Sequence, residues 1–125
     1  MGVKPGAMIE VILKRFDTPD EVRIMKKGKF EIVRLGGLTV GRATYEPGWK
    51  WSEHVGPGVH AKRCSVEHVG LVLSGTATVA FDDGRVTVLH AGELFHVPPV
   101  PHDSWVVGEE PYVSLHFLGA DKYAK

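Results

Sequence analysis

Hydrophobic and polar positions in this chain alternate in short runs broken by glycine and proline, and apolar spacing of the helical kind is almost absent. Short alternating or β-branched runs bounded by turn residues read as strands with one buried face. The pattern predicts strands at residues 10–14, 30–34, 38–45, 50–54, 64–73, 76–81, 86–89, 94–97, 104–107 and 112–117. Between two of them Asp82, Asp83 and Gly84 supply residue types that tolerate positive φ, the chemistry of a tight hairpin turn. Residues 18–22 carry a helix-start signal, with Thr18 as cap, Pro19 at the first helical position and Glu21 three residues after the cap. That segment predicts one short helical turn. Residues 55–62, with two glycines and a proline, read as a loop. Many short strands with regular turn signals point to a sandwich or a closed barrel, and closure removes exposed strand edges. The expected fold is an all-β small barrel.

Composition narrows this picture. A chain of 125 residues that is 43% hydrophobic closes one core and is short for two, so a single domain over 1–125 is expected. Fifteen basic and fifteen acidic residues give a formal charge of zero, which leaves no broad field for nucleic acid or an anionic membrane. A small-molecule ligand or substrate fits better. Cys64 is the only cysteine, so no intramolecular disulfide can form and nothing argues for an oxidising compartment. Residues 1–7 are polar and glycine-containing and lead into a charged segment, without a long apolar stretch. A soluble cytoplasmic protein is the expectation.

Three histidines stand at fixed distances from glycines or prolines that shape strand ends. Gly48 precedes His54 with five residues between, His68 precedes Gly75 with six between, and Gly92 is followed after five residues by Pro98 and then by His102. This spacing resembles the two sequence motifs of the cupin superfamily, over about Gly48 to His102. Three departures stand out in the first motif: Gly56 takes the place of a second histidine, eleven residues then separate it from the next ligand position, and His68 stands where the motif has glutamate. In the second motif His102 falls one residue early, because Pro98, Pro99, Val100 and Pro101 replace the usual proline and glycine spacing. The resemblance implies a cupin-type double-stranded β-helix, or jelly-roll, with additional N-terminal strands within 1–47 and the motif-bearing barrel over 48–118. It also implies a homodimer.

The chemistry expected of such a set is metal binding. Neutral imidazole suits Fe, Ni, Cu and Zn, with Mn also among the divalent ions considered, and a barrel brings residues of separate strands to one inward face. His54, His68 and His102 are therefore the candidate ligands, and three protein ligands leave positions open to water or substrate. His60, in the loop after His54, is the candidate to replace the missing second histidine. Each of these histidines also has a plainer reading as a hydrogen-bonded or solvated side chain. Strand parity places Cys64, Val66 and Val72 on the face of His68, with Glu67 opposite, so Cys64 is either near the metal or a small apolar filler. If His54 faces inward on a strand, Trp49, Trp51 and Glu53 face out. Phe95 and Trp105 read as core filling, and His90, His96 and His116 as surface or packing residues. Asp103 is a weaker candidate to orient an imidazole.

No P-loop, serine elbow, HExxH helix or dinucleotide fingerprint is present in the sequence. Two functional classes remain: a metal-dependent enzyme of dioxygenase or isomerase type acting on a small molecule, and a non-catalytic binding or sensing module of the same fold.

Overall fold

The computed structural model describes residues 9–125. The segment 1–7 that bears on localisation lies outside the described residues, and no helix among those described is long and apolar enough to cross a membrane. Ten strands form two antiparallel sheets. They are β1 (Glu21–Met25), β2 (Gly28–Leu35), β3 (Leu38–Tyr45), β4 (His68–Ser74), β5 (Thr76–Phe81), β6 (Val86–His90), β7 (Leu94–Val97), β8 (His102–Asp103), β9 (Val106–Val107) and β10 (Tyr112–Leu118). The larger sheet runs β1-β2-β3-β10-β4-β7, and the smaller runs β6-β5-β8 with β9 also on β5. The result is the all-β jelly-roll barrel that the strand pattern and motif spacing imply.

Alternation decides which side chains fill the barrel. In β2 and β3 the buried Phe30, Ile32, Ala43 and Tyr45 share one face, and Val72, Ala77, Val106 and Tyr112 meet them in the same core cluster. The hairpin between β5 and β6 forms where predicted: Gly84 takes φ +94° and the Phe81 amide donates to the Arg85 carbonyl at 2.9 Å.

Several elements differ from the sequence expectation, each for a physical reason. Residues 10–14 form no strand because they pair with no other segment, which leaves Val11, Ile12 and Leu13 exposed. The helical turn expected at 18–22 is replaced by the start of β1. There the Asp20 amide donates to Ile32 at 2.8 Å, and Glu21 binds Arg23 and Arg34 of the ladder instead of capping a helix. The predicted strand 64–73 begins only at His68, with Cys64 held by an isolated bridge, and of residues 104–107 only Val106 and Val107 form a strand, β9, while Trp105 makes an isolated bridge to Lys50.

The largest change is at 50–54. Trp51–His54 is a single helical turn, α1, followed by a 3₁₀ turn at Gly56–Val59 within the expected loop. A carboxylate from another strand stabilises it: Asp103 accepts the Ser52 amide at 3.0 Å and the Ser52 hydroxyl at 2.7 Å. This is a helix cap supplied from a distance. Strand parity therefore does not apply to this segment, and Trp49 and Trp51, expected to face out, are 1% and 4% exposed in the core. Trp49 stacks on Tyr45 with centroids 3.7 Å apart.

Candidate metal centre

Cys64 and His102 form a cross-strand pair. The Cys64 amide donates to the His102 carbonyl and the His102 amide to the Cys64 carbonyl, both at 2.9 Å, so the two residues are directly opposed. Opposed residues of an antiparallel pair project from the same face. His68 lies four positions beyond Cys64 and opens β4 opposite Val97. The Cys64–His102 pairing and the start of β4 thus bring three donors together, and the ligand atoms of Cys64, His68 and His102 all lie within 4.8 Å of one another, each residue buried.

The donor chemistry fits a transition metal. The Cys64 Sγ to His68 Nε2 separation is 3.5 Å, which matches the roughly 3.5 Å edge between a sulfur and a nitrogen on a tetrahedral ion. His102 Nδ1 donates to the Val100 carbonyl at 2.8 Å, which puts the lone pair on Nε2. A backbone acceptor on the far nitrogen is the usual outer support of a ligating imidazole. The His68 Nδ1 is buried and meets no hydrogen-bond partner among the described residues.

Burial sets the protonation states. It pushes the His68 imidazole down to about 2, with neighbouring His116 and His102 adding to the effect, so His68 is neutral. His102 is also lowered by burial, partly offset by the Val100 carbonyl and Asp103. The same desolvation pushes the Cys64 thiol up to about 11, so without a cation beside it Cys64 is a thiol.

The cluster borders a partly open cavity of about 50 Å³ lined by His68, His102 and His116 together with aromatic walls from Trp49, Trp51 and Phe95. At about 12 Å³ per water this holds roughly four waters. No carboxylate, lysine or arginine is among its lining residues. His116, read from sequence as surface or packing, is buried and reaches this wall; the Tyr112, Ser114, His116 alternation in β10 was the available signal. Its position is made by two glycines. His116 is paired with Gly41 of β3 and Gly70 of β4. A side chain at Gly41 would collide with Phe30 and one at Gly70 with Phe95, the two rings that stand edge-on to His116 at 5.3 and 5.6 Å.

A profile of the cupin domain matches residues 41–117, more than half of the chain. The chain belongs to the cupin family. Among solved structures it is similar to a protein of unknown function from Rhizobium leguminosarum bv. viciae, at TM-score 0.58 and 19% identity over 86% of this chain and 95% of that one. It is similar to the oxalate decarboxylase of Lactobacillus farciminis in its formate complex, at TM-score 0.55 and 18% identity, over 79% of this chain but 30% of the larger protein. An HTH_3 family transcriptional regulator from Vibrio cholerae matches at TM-score 0.51 and 19% identity, over 72% of this chain and 49% of that one. No curated relative matches in sequence. These identities establish a shared fold.

Within the cupin frame, the motif glycines Gly48, Gly75 and Gly92 all occupy positive-φ turns, at +89°, +76° and +88°. The histidines divide. His68 and His102 enter the cluster; His54 and His60 stand outside it. His54 ends α1 and its Nδ1 accepts the Lys50 amide at 2.9 Å, the consequence of a helical turn where a strand was expected. His60 is exposed in a left-handed conformation at φ 56°, closing the 3₁₀ turn. His90 and His96 pair with Glu93 and Glu67 at the surface. Trp105 is half-buried beneath the Lys50 ammonium, 5.5 Å above its ring, rather than in the core.

Proposed function

We propose that this cupin binds a divalent transition metal through Cys64, His68 and His102 and uses it to transform a small molecule, as an oxidoreductase of dioxygenase type or an isomerase. The observation that carries this reading is the convergence of a buried thiol and two neutral imidazoles, one with its far nitrogen anchored on a carbonyl. When bound, the ion supplies a Lewis acid with positions not filled by protein. Cys64 gives up its proton on ligation, and its thiolate offsets part of the ionic charge. His102 keeps its tautomer through Val100. The aromatic walls make the cavity mostly apolar, and its volume of about 50 Å³ restricts the reacting part of the substrate to a few atoms. Thiolate with two imidazoles and no carboxylate favours Fe, Ni, Cu or Zn over Mn.

Elemental mass spectrometry on protein purified without chelator tests the reading. Near-stoichiometric metal per chain in the parent and its loss in His68→Ala support it. Equal metal in both would defeat it. Catalysis is tested by oxygen uptake of the iron(II)-loaded protein against a panel of small thiol and phenolic compounds.

A second reading, binding or sensing without turnover, is favoured by a cavity wall without carboxylate or lysine, on which the one further titratable imidazole, His116, is held to about 4 by burial and is thus a weak base. The fold's occurrence in the Vibrio cholerae regulator is compatible with it. Substrate-independent metal affinity with no uptake across the panel would select this alternative.

Two wider expectations belong to the same proposal. The protein works in the cytoplasm, where a lone ligating thiol stays reduced. It acts as a homodimer, in which a second copy covers the exposed apolar residues Ile9, Val11, Leu13 and Ile24, each more than 80% exposed in the single chain.

A further inference from the structure

Beyond β10 the chain does not trail into solvent. Gly119 turns at φ +86°, and any side chain there would collide with the Glu67 carbonyl, so the reversal is fixed at that residue. The Lys122 and Tyr123 amides then donate to the Gly119 carbonyl at 3.1 and 3.0 Å. Ala120 and Tyr123 are buried at 1% and 4% exposure while Asp121, Lys122 and Lys125 are exposed. The turn thus inserts two side chains and leaves its charged residues outside.

Tyr123 is the inserted ring that matters. It lines the same cavity as His68 and His116, packs on Phe30 at 4.7 Å and on His68 at 5.4 Å, and its hydroxyl meets the Tyr45 hydroxyl at 2.6 Å. A wall of the cavity is therefore made by a residue beyond the last strand.

A side chain from β1, the edge strand of the larger sheet, also holds the turn. Arg23 of β1 donates through Nη1 to the carbonyls of Ala120, at 3.2 Å, and of Tyr123, and through Nη2 to that of Asp121 at 3.1 Å. Its Nε is fixed by the Glu21 carboxylate at 2.6 Å. The guanidinium fork satisfies three carbonyls that lie past the last strand and have no ladder to join.

We propose that the C-terminal turn, residues 119–123, is a gate on the barrel cavity, with Arg23 as its latch and Gly119 as its hinge. With Arg23 engaged, Tyr123 walls the cavity beside His68 and narrows the way to the cluster. When the latch opens, the turn swings out and small molecules reach the cluster. The inference rests on the metal-site reading for the purpose of the gate, and its test reads access alone.

Cys64 is the sole cysteine and is buried, so its alkylation rate reports opening of the cavity in the full-length, metal-free protein. Iodoacetamide is the probe, applied to the parent, Arg23→Gln, Arg23→Lys, Tyr123→Ala and Arg42→Gln. The last removes the Arg42–Glu31 ion pair, at 3.0 Å, away from the turn and serves as a control for general destabilisation. Loss of several charge-assisted hydrogen bonds raises the open population about tenfold or more. Arg23→Gln and Tyr123→Ala should label about tenfold faster than the parent, with Arg23→Lys between. Circular dichroism should stay unchanged, and Arg42→Gln should label near the parental rate. Parental rates in both gate variants would overturn the proposal. So would acceleration that follows global stability equally in Arg42→Gln and Arg23→Gln. Either result leaves the metal content of the parent, and hence the site itself, untouched.

Discussion

At the scale of single residues, the centre depends on neutral imidazoles kept from water. An unfolded histidine titrates near the ordinary value of 6.5, whereas burial holds His116 down to about 4 and His68 to about 2. Below 6.5 the unfolded chain therefore binds protons that the folded chain refuses, and stability is full above that pH and falls as pH drops toward the folded values. At pH 5 the loss is roughly 2 kcal/mol per histidine at most. Urea unfolding of the metal-free protein at pH 7.5 and pH 5 checks this; equal stability at both would mean that water reaches these rings. His68 and His102 were legible because motif spacing and parity mark them. Cys64 was legible only as an alternative, since parity puts it on the right face but nothing local says that its backbone pairs with His102. Tyr123 carried no signal at all: its role depends on Arg23, one hundred residues away along the chain.

Among elements, α1 shows where local reading stops. Residues 50–54 make their own backbone turn but have no local side-chain N-cap, and the bonds that cap it come from Asp103. The alternation of Trp49, Trp51 and Glu53 then misleads, because a strand period was applied to a helix. Asp103→Ala should cost about 1–3 kcal/mol by leaving the Ser52 and Ser104 amides without their acceptor. It should also shift Trp51 fluorescence to the red as α1 loosens. A variant as stable as the parent would show that α1 is held by tryptophan packing instead. In the sheets, by contrast, the period-2 pattern placed β3, β5 and β7 correctly, since each has one face in a single core and a turn residue at its end. Gly70→Ala should destabilise by about 1–3 kcal/mol, because the added methyl group meets both the Leu115 carbonyl and the Phe95 ring. Denaturant midpoints measure it, and no change would mean that Phe95 has room to move.

The whole molecule joins these parts into a barrel in which the first strand meets the turn that follows the last. Strand β1 supplies Arg23, the C-terminal turn supplies Tyr123, and beside them lies the cavity that borders His68 and His102. The apolar residues left outside, Ile9, Val11, Leu13 and Ile24, predict a dimer by light scattering at micromolar concentration, weakened in Ile24→Lys. A parent that stays monomeric would remove the second copy from the account. The central claim is that one ion is held jointly by a thiolate and two imidazoles, and cobalt(II) substitution tests it most directly. The account predicts a thiolate-to-cobalt charge-transfer band at one cobalt per chain, abolished in a folded Cys64→Ser variant that still binds the ion more weakly. A cobalt complex of the parent without that band, or one unchanged in Cys64→Ser, would contradict it.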